Sequence, residues 1–203
     1  MPRTAITGYV AFLALAFGLR AILHYRRTGT SGFVGLTGRP GSVEWLAGVL
    51  FGVAVIAGGL APLAQLLGLL HPIAGSDERA MHVAGLLCFG VGLAGTLHAQ
   101  ASMGDSWRIG VDSGERTDLV SRGPFRWVRN PIFTWMSLAT VGLVLLTPNA
   151  LAIASLVTLL VALEVQVRAV EEPYLLRTHG ASYRKYASTT GRFVPGIGRL
   201  CDE

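Results

Sequence analysis

The chain has 203 residues, 51% of them hydrophobic and 14% charged, against about 25% charged in an ordinary soluble domain. Seventeen basic residues against twelve acidic ones give a formal charge of +5. The basic residues sit between apolar runs rather than along one polar face, which argues against a nucleic-acid surface, and the two cysteines lie in no C-x-x-C pair, which argues against disulfide, zinc and dithiol scaffolds. A small polytopic membrane protein remains.

A membrane span needs about 20 mostly apolar residues. Five stretches qualify, some of them short: 5–25, 43–70 with Pro62 as a kink or end, 79–103, 131–147, and a run from Ala150 that passes Leu163 into a charged tail. The first is too long, and too poor in small residues at its end, for a cleavable signal peptide. Pro148-Asn149 leaves almost no loop between the last two, so a tight antiparallel hairpin is expected. The expected fold is all-α: a polytopic integral membrane helix bundle of about five transmembrane helices with a C-terminal cytoplasmic helical cap.

The first loop carries Arg26, Arg27 and Arg39, and the third carries Arg108, Arg116, Arg122, Arg126 and Arg129. The tail adds Arg168, Arg177, Arg184, Lys185, Arg192 and Arg199, whereas the opposite side has only Arg3 and Arg79, with Arg20 near the end of the first span. Five spans put the basic segments on one face, which places the N-terminus outside and the C-terminus in the cytoplasm. One lysine against sixteen arginines points to a GC-rich bacterial genome, and hence to the cytoplasmic membrane.

Gly90-x-Gly92-x-x-Gly95 has the spacing of a dinucleotide fingerprint, but it lies inside a span with no strand before it. These glycines, with Gly48 and Gly52, read as helix-packing positions. His71, His82 and His98 have no ligand partner three or four residues away, so no metal site is expected. His98 and Gln100 read as local hydrogen-bonding groups, and Cys88 as a small buried apolar residue.

Two polar segments remain. The first is Gly123-Pro124-Phe125-Arg126-Trp127-Val128-Arg129-Asn130-Pro131, where Asn130 and Pro131 have the form of an N-cap and a first helical residue. The free N–H groups there would favour a carboxylate or phosphate, helped by Arg126 or Arg129. A basic boundary turn that only sets topology fits equally well. The second segment holds Glu164, Arg168 and Glu172, four residues apart and so on one helical face. A helix from Ala150 to Leu176 would run about 40 Å, so the charged face lies near the cytoplasmic interface. Glu164, the deepest, is expected to line a cavity rather than join a salt-bridge ladder.

With the tail motifs Glu171-Glu172-Pro173-Tyr174-Leu175 and Gly180-Ala181-Ser182-Tyr183-Arg184-Lys185-Tyr186, these segments resemble the isoprenylcysteine carboxyl methyltransferase family. The wider group includes phospholipid and thiol methyltransferases. The likeness covers about 103–195, including Ser106-Trp107-Arg108-Ile109-Gly110. It implies an S-adenosylmethionine-dependent membrane methyltransferase acting on a small or lipophilic acceptor (carboxyl, thiol, hydroxyl or amine) that enters from the bilayer. By position, Gly123, Pro124, Arg126, Val128, Arg129, Asn130, Pro131, Glu171, Tyr183 and Tyr186 would hold the cofactor. Arg168 and Glu172 match the pair near the methyl acceptor. The resemblance also divides the chain into 1–102, spans shaping the acceptor site, and 103–203, the catalytic region. Asn130 stands where many members have histidine, and Phe125 and Phe133 replace common tyrosines. The alternatives are an NADPH-dependent membrane reductase of the sterol-reductase-like type, whose Arg-(His/Asn)-Pro motif is similar, and a non-enzymatic membrane protein.

Overall fold

The computed structural model describes residues 1–33, 35–73, 78–107 and 118–200. Arg108, Ile109, Gly110 and Arg116 lie outside the described residues. Six helices carry the fold: α1 (Pro2–Thr28), α2 (Val43–Leu66), α3 (Glu78–Met103), α4 (Pro131–Leu146), α5 (Ala150–His179) and α6 (Ala181–Thr189). Short 3₁₀ turns occupy Gly104–Ser106 and Gly123–Arg126, and π-helical stretches interrupt α1 at Leu13–Leu19 and α5 at Gln166–Glu171.

Four helices, α1, α2, α3 and α5, are long and apolar enough to cross a membrane. The fourth expected span is the exception. Helix α4 has 16 residues, about 24 Å at 1.5 Å per residue, short of the ~30 Å hydrocarbon core. Pro131 opens it and Thr147-Pro148 closes it, so it forms the short arm of a hairpin with α5.

Local chemistry sets the element ends. Helix α1 stops at Gly29, which adopts a left-handed φ of 78° that costs glycine little. Ser42 caps α2 by accepting from the Trp45 N–H. Helix α2 runs through Pro62 and stops four residues later at Leu66. Asn149 caps α5 through the Ala152 N–H at 2.9 Å, and its Nδ2 donates to Gln65 Oε1 and the Ala61 carbonyl at the end of α2. A single buried amide thereby joins the hairpin turn to α2.

Glycines decide how closely α3 and α4 approach. A Cβ on Gly92 would lie 2.7 Å from the Trp135 carbonyl oxygen, and one on Gly142 would lie 2.7 Å from that of Gly85. Gly95 sits against the Trp135 ring. The packing expected at Gly92 and Gly95 is therefore present, backbone against backbone at Gly92 and against a ring at Gly95. Gly48 meets the Leu36 side chain, whereas Gly90 and Gly52 have nothing within 4 Å of a Cβ among the described residues and make no packing contact there. The core between helices is Phe12, Ala16, Ala54, Met136, Ala139, Leu159 and Leu163. Ser155 Oγ donates to the Ala54 carbonyl at 2.9 Å, joining α2 to α5.

At the end where most of the basic residues gather, α1 and α3 are cross-linked. Gln100 Nε2 donates to the Ala16 carbonyl at 2.8 Å, and Arg20 Nη2 donates to the Gly104 carbonyl at 2.6 Å. The Arg20 guanidinium lies 5.0 Å above the Trp107 ring, and His24 meets that ring edge-on. Trp107 is thus wedged under the turn that follows α3, buried on all sides.

Candidate active site

The chain enters α4 through a turn that the C-terminal segment completes. Gly123 has φ 61°. Beyond the turn, Val128 pairs with Gly191 in an isolated parallel bridge. The Arg129 N–H donates to the Gly191 carbonyl at 2.8 Å, and the Asn130 N–H donates to the Arg192 carbonyl at 3.1 Å. Asn130 holds the N-cap position, but its side chain caps nothing on α4; Nδ2 donates to Arg192 O at 3.2 Å. Thr134 Oγ1 donates to the Phe193 carbonyl at 2.7 Å. Segment 190–198 is therefore part of the site's frame.

Under that frame lies a buried charge knot. Arg129 Nη2 donates to Glu172 Oε1 at 2.6 Å and to the Gly198 carbonyl at 2.9 Å, while Nη1 donates to the carbonyls of Ala187 and Thr190. Arg192 grips the same carboxylate as a fork, Nε to Oε1 at 2.8 Å and Nη2 to Oε2 at 2.9 Å. The Arg129 and Glu172 side chains are 2% and 9% exposed, so these bonds act in a low dielectric and are charge-assisted. Hydrogen bonding to Glu172 raises the Arg192 guanidinium above its ordinary value, against the effect of burial. Four elements meet here: the start of α4, the foot of α5, the end of α6 and the closing turn.

Tyr183 and Tyr186 come from α6. Their rings meet edge to face at 6.2 Å, and the Tyr186 hydroxyl donates to the Phe125 carbonyl at 2.6 Å. Burial pushes the Tyr183 phenol up to about 12, with the Glu172 charge adding to it; burial raises Tyr186 as well. Both remain neutral hydroxyls across the physiological range.

The structure does not bring Arg168 and Glu172 together. Arg168 is 61% exposed in its side chain and pairs with Glu164 at 2.5 Å, four residues back. Neither residue lines the cavity described below. Glu164 is therefore in the exposed ladder and not on a cavity wall. Glu172, further down the same helix, is buried because the start of α4 and the closing turn cover the foot of α5 and bring Arg129 and Arg192 to its carboxylate. The π turn at Gln166–Glu171 holds one residue more than an α turn, which sets Gln166 and Glu171, five apart, side by side, with Gln166 Nε2 3.5 Å from Glu171 Oε1. Arg126 also departs from its expected place: it is exposed and stacks 4.8 Å above the Trp127 ring.

A cavity of about 470 Å³ adjoins the knot, within the range that encloses a cofactor or drug-sized molecule. Its polar wall includes Arg129, Asn130, Gln166, Glu171, Glu172, Tyr183 and Tyr186. Its apolar wall includes Phe12, Phe17, Phe51, Phe133, Met136 and Leu163. Met136 lies six residues beyond Asn130, about 9 Å further along α4, so the apolar wall leads from the basic end toward the bundle interior. Among the described residues no cluster of three potential metal ligands occurs.

Arg192, Gln166 and Trp107 belong to this site without having been singled out from sequence as site residues. No local spacing marks Arg192, which lies 20 residues from Glu172 in the chain; only its place in the closing turn does. Since an exposed ion pair contributes about 0–1 kcal/mol, Arg168→Ala is expected to keep turnover within about twofold of the parent. A methyl-transfer assay on both proteins checks this, and a hundredfold loss would put Arg168 back among the catalytic groups.

No curated protein matches the chain. Among solved structures, a eukaryotic intramembrane Ras methyltransferase, an isoprenylcysteine carboxyl methyltransferase, superimposes with a TM-score of 0.60 at 20% identity, covering 99% of this chain and 70% of that one; that likeness is one of fold. The phospholipid methyltransferase family model matches residues 80–182, from the start of α3 past Arg129 and Glu172 and into α6, with Arg192 beyond its end. A bundle of membrane-crossing helices and a family match over half of its length lead to one conclusion: this chain belongs to the phospholipid methyltransferase family and is an integral membrane methyltransferase.

Proposed function

We propose that the methyl donor is S-adenosylmethionine and that it occupies the cavity beside the Arg129–Glu172–Arg192 knot. The observation that carries this reading is the joint enclosure of about 470 Å³ by the start of α4, the foot of α5 and α6. The donor set fits such a molecule. Glu171 supplies negative charge for a sulfonium, Tyr183 and Tyr186 supply aromatic faces for a base, and the first turn of α4 supplies N–H groups for a carboxylate.

When bound, the cofactor supplies an activated methyl group, so little covalent chemistry is asked of the protein. The chain's own residues hold the reactants about 3–3.5 Å apart and keep water out. Asn130, Glu171, Tyr183 and Tyr186 make the proposed contacts; Gly123, Pro124, Val128 and Pro131 shape the turn behind them. Both oxygens of Glu172 already accept from arginines, three bonds in all. Glu172 is therefore a positioning residue in this proposal, and Glu171, with Gln166 beside it, is the carboxylate better able to receive a proton.

The acceptor is small or lipophilic, and the apolar wall of the cavity favours one with a hydrocarbon tail that enters from the bilayer. The basic end is the cytoplasmic one, with the N-terminus outside, in a bacterial cytoplasmic membrane. The chain purified in nanodiscs is expected to melt several degrees higher with S-adenosylhomocysteine and to be unmoved by NADPH. Labelled methyl from S-adenosylmethionine should then appear on one class among amines, alcohols, thiols and carboxylates. Absence of any shift with both S-adenosylmethionine and its demethylated product overturns the reading.

A further inference from the structure

The link from α1 to α2 carries glycine at every third residue, Gly29, Gly32, Gly35, Gly38 and Gly41, each with a left-handed φ of 73° to 87°. Glycine takes that conformation freely, so the repeat sets the path of the strap. A Cβ on Gly32 would come within 2.9 Å of the Trp107 ring, so the strap lies against that buried ring. It then crosses the cavity, which Phe33 and Leu36 line. These two side chains are also 49% and 60% exposed. A side chain that touches the cavity and the outside at once stands at its rim. Arg26, Arg27 and Arg39 flank it in the chain, which puts the rim at the headgroup level of the bilayer, where an apolar side chain meets lipid.

A gap in α2 holds Leu36 at this rim. A Cβ on Gly48 would lie 2.6 Å from Leu36 Cδ2, so the tip of the leucine occupies the place of the absent side chain. Ala47 and Phe51 of α2 and Phe17 of α1 continue the apolar wall from there. Inside the cavity, Gln100 Oε1 and Arg129 Nε are buried on the wall with no hydrogen-bond partner among the described residues. Orphaned buried polar atoms are rare and costly, so the cavity is built for a ligand with a polar part. A ligand with its polar head among those atoms and an apolar tail would bring the tail out past Leu36.

We propose that Leu36 is a specificity-determining residue for the methyl acceptor: seated over Gly48, it grips the acceptor's hydrocarbon tail where that tail leaves the cavity for the bilayer. This rests on the methyl-transfer reading above and adds the residue that reads the tail, whatever the head group is. Phe33, three residues earlier on the strap, is the second apolar contact at the rim.

The test uses the full chain in nanodiscs and pairs of acceptors with the same head, amine, alcohol, thiol or carboxylate, on a hexadecyl or an ethyl tail. The readout is the ratio of kcat/KM for the hexadecyl member over the ethyl member. Leu36→Ala should lower that ratio about tenfold, the scale of one leucine side chain removed from apolar contact. The S-adenosylhomocysteine melting shift should be retained. Gly48→Ala keeps the leucine in the chain but takes its seat. It should lower the ratio in the same direction without lowering the melting temperature, because the displaced atom is the tip of a flexible side chain and alanine favours a helix over glycine. Leu69→Ala, at a leucine 72% exposed in the link from α2 to α3, is the control and should keep the ratio. Labelling of the Leu36→Cys protein by a maleimide, with the parent's own cysteines as background, gives a reading without turnover: hexadecyl acceptors should slow it and ethyl acceptors should not. An unchanged ratio in Leu36→Ala or Gly48→Ala, or labelling indifferent to the tail, overturns the proposal. Those outcomes with the S-adenosylhomocysteine shift retained sink only this inference. Absence of that shift in the parent sinks the methyl-donor reading, and tail-dependent protection from the maleimide then decides this one.

Discussion

Replacing Glu172 by glutamine should cost the protein both its activity and much of its stability. Two guanidinium groups, Arg129 and Arg192, converge on that carboxylate through three hydrogen bonds of 2.6 to 2.9 Å. Removing one partner of a buried ion pair typically costs about 3–5 kcal/mol, because the remaining charge stays out of water without compensation. Here two cations would be stranded. The expected outcome for Glu172→Gln is a turnover loss of a hundredfold or more together with a clearly lower melting temperature, read by melting in nanodiscs and by methyl transfer. Arg129→Met should also be destabilising: Arg192 still neutralises Glu172, but the carbonyls of Ala187, Thr190 and Gly198 lose their donor. A Glu172→Gln protein as stable and as active as the parent would show that the knot organises nothing.

Gly142→Val should prevent the bundle from assembling. A Cβ at Gly142 would lie 2.7 Å from the Gly85 carbonyl oxygen and 2.8 Å from Phe89 Cα. Both obstacles are backbone of α3, which cannot swing aside as a side chain does. Overpacking a close-packed interior costs about 1–3 kcal/mol when neighbours adjust, and the top of that range or beyond is expected when a whole helix must move. The measurable result is loss of the monodisperse species on extraction. Gly90→Ala is the control: nothing lies within 4 Å of a Cβ there, and alanine favours a helix over glycine by up to about 1 kcal/mol. Gly90→Ala should extract and melt as the parent does. Equal behaviour of the two variants would mean that α3 and α4 are not held by glycine contacts.

The helical bundle could be read from the amino-acid sequence because membrane spans are written in composition: an apolar run must be long enough to cross hydrocarbon, whatever its neighbours are. Caps were less legible: the Asn130 side chain, which has the form of an N-cap, turns to the Arg192 carbonyl, while Asn149 and Ser42 make the caps of α5 and α2. The glycines were half legible. Gly92 and Gly95 contact α4, but Gly90, in the same motif, does not; small residues recur along a helix without revealing which side meets a partner.

The five apolar helices were legible as well, although their lengths were not: the prolines at both ends of 131–147 leave α4 16 residues, the short arm of the hairpin.

The site was harder to read, for a definite physical reason. Residues four apart share a helical face, but their spacing does not say which part of that face another segment covers. Glu164 and Arg168 keep their ladder in the open, while Glu172, at the foot of the same helix, is covered and paired by Arg129 and Arg192. Arg192 could join only because the chain doubles back after α6, bringing Gly191 beside Arg129. Apolar runs and the order of motifs are properties of neighbouring residues, and sequence by itself determined those. The identity of the buried pair, the orphaned Gln100 oxygen and the enclosure of the cavity depend on helix rotation and on segments far apart in the chain. Only the tertiary structure decides these, because packing sets the rotation of each helix.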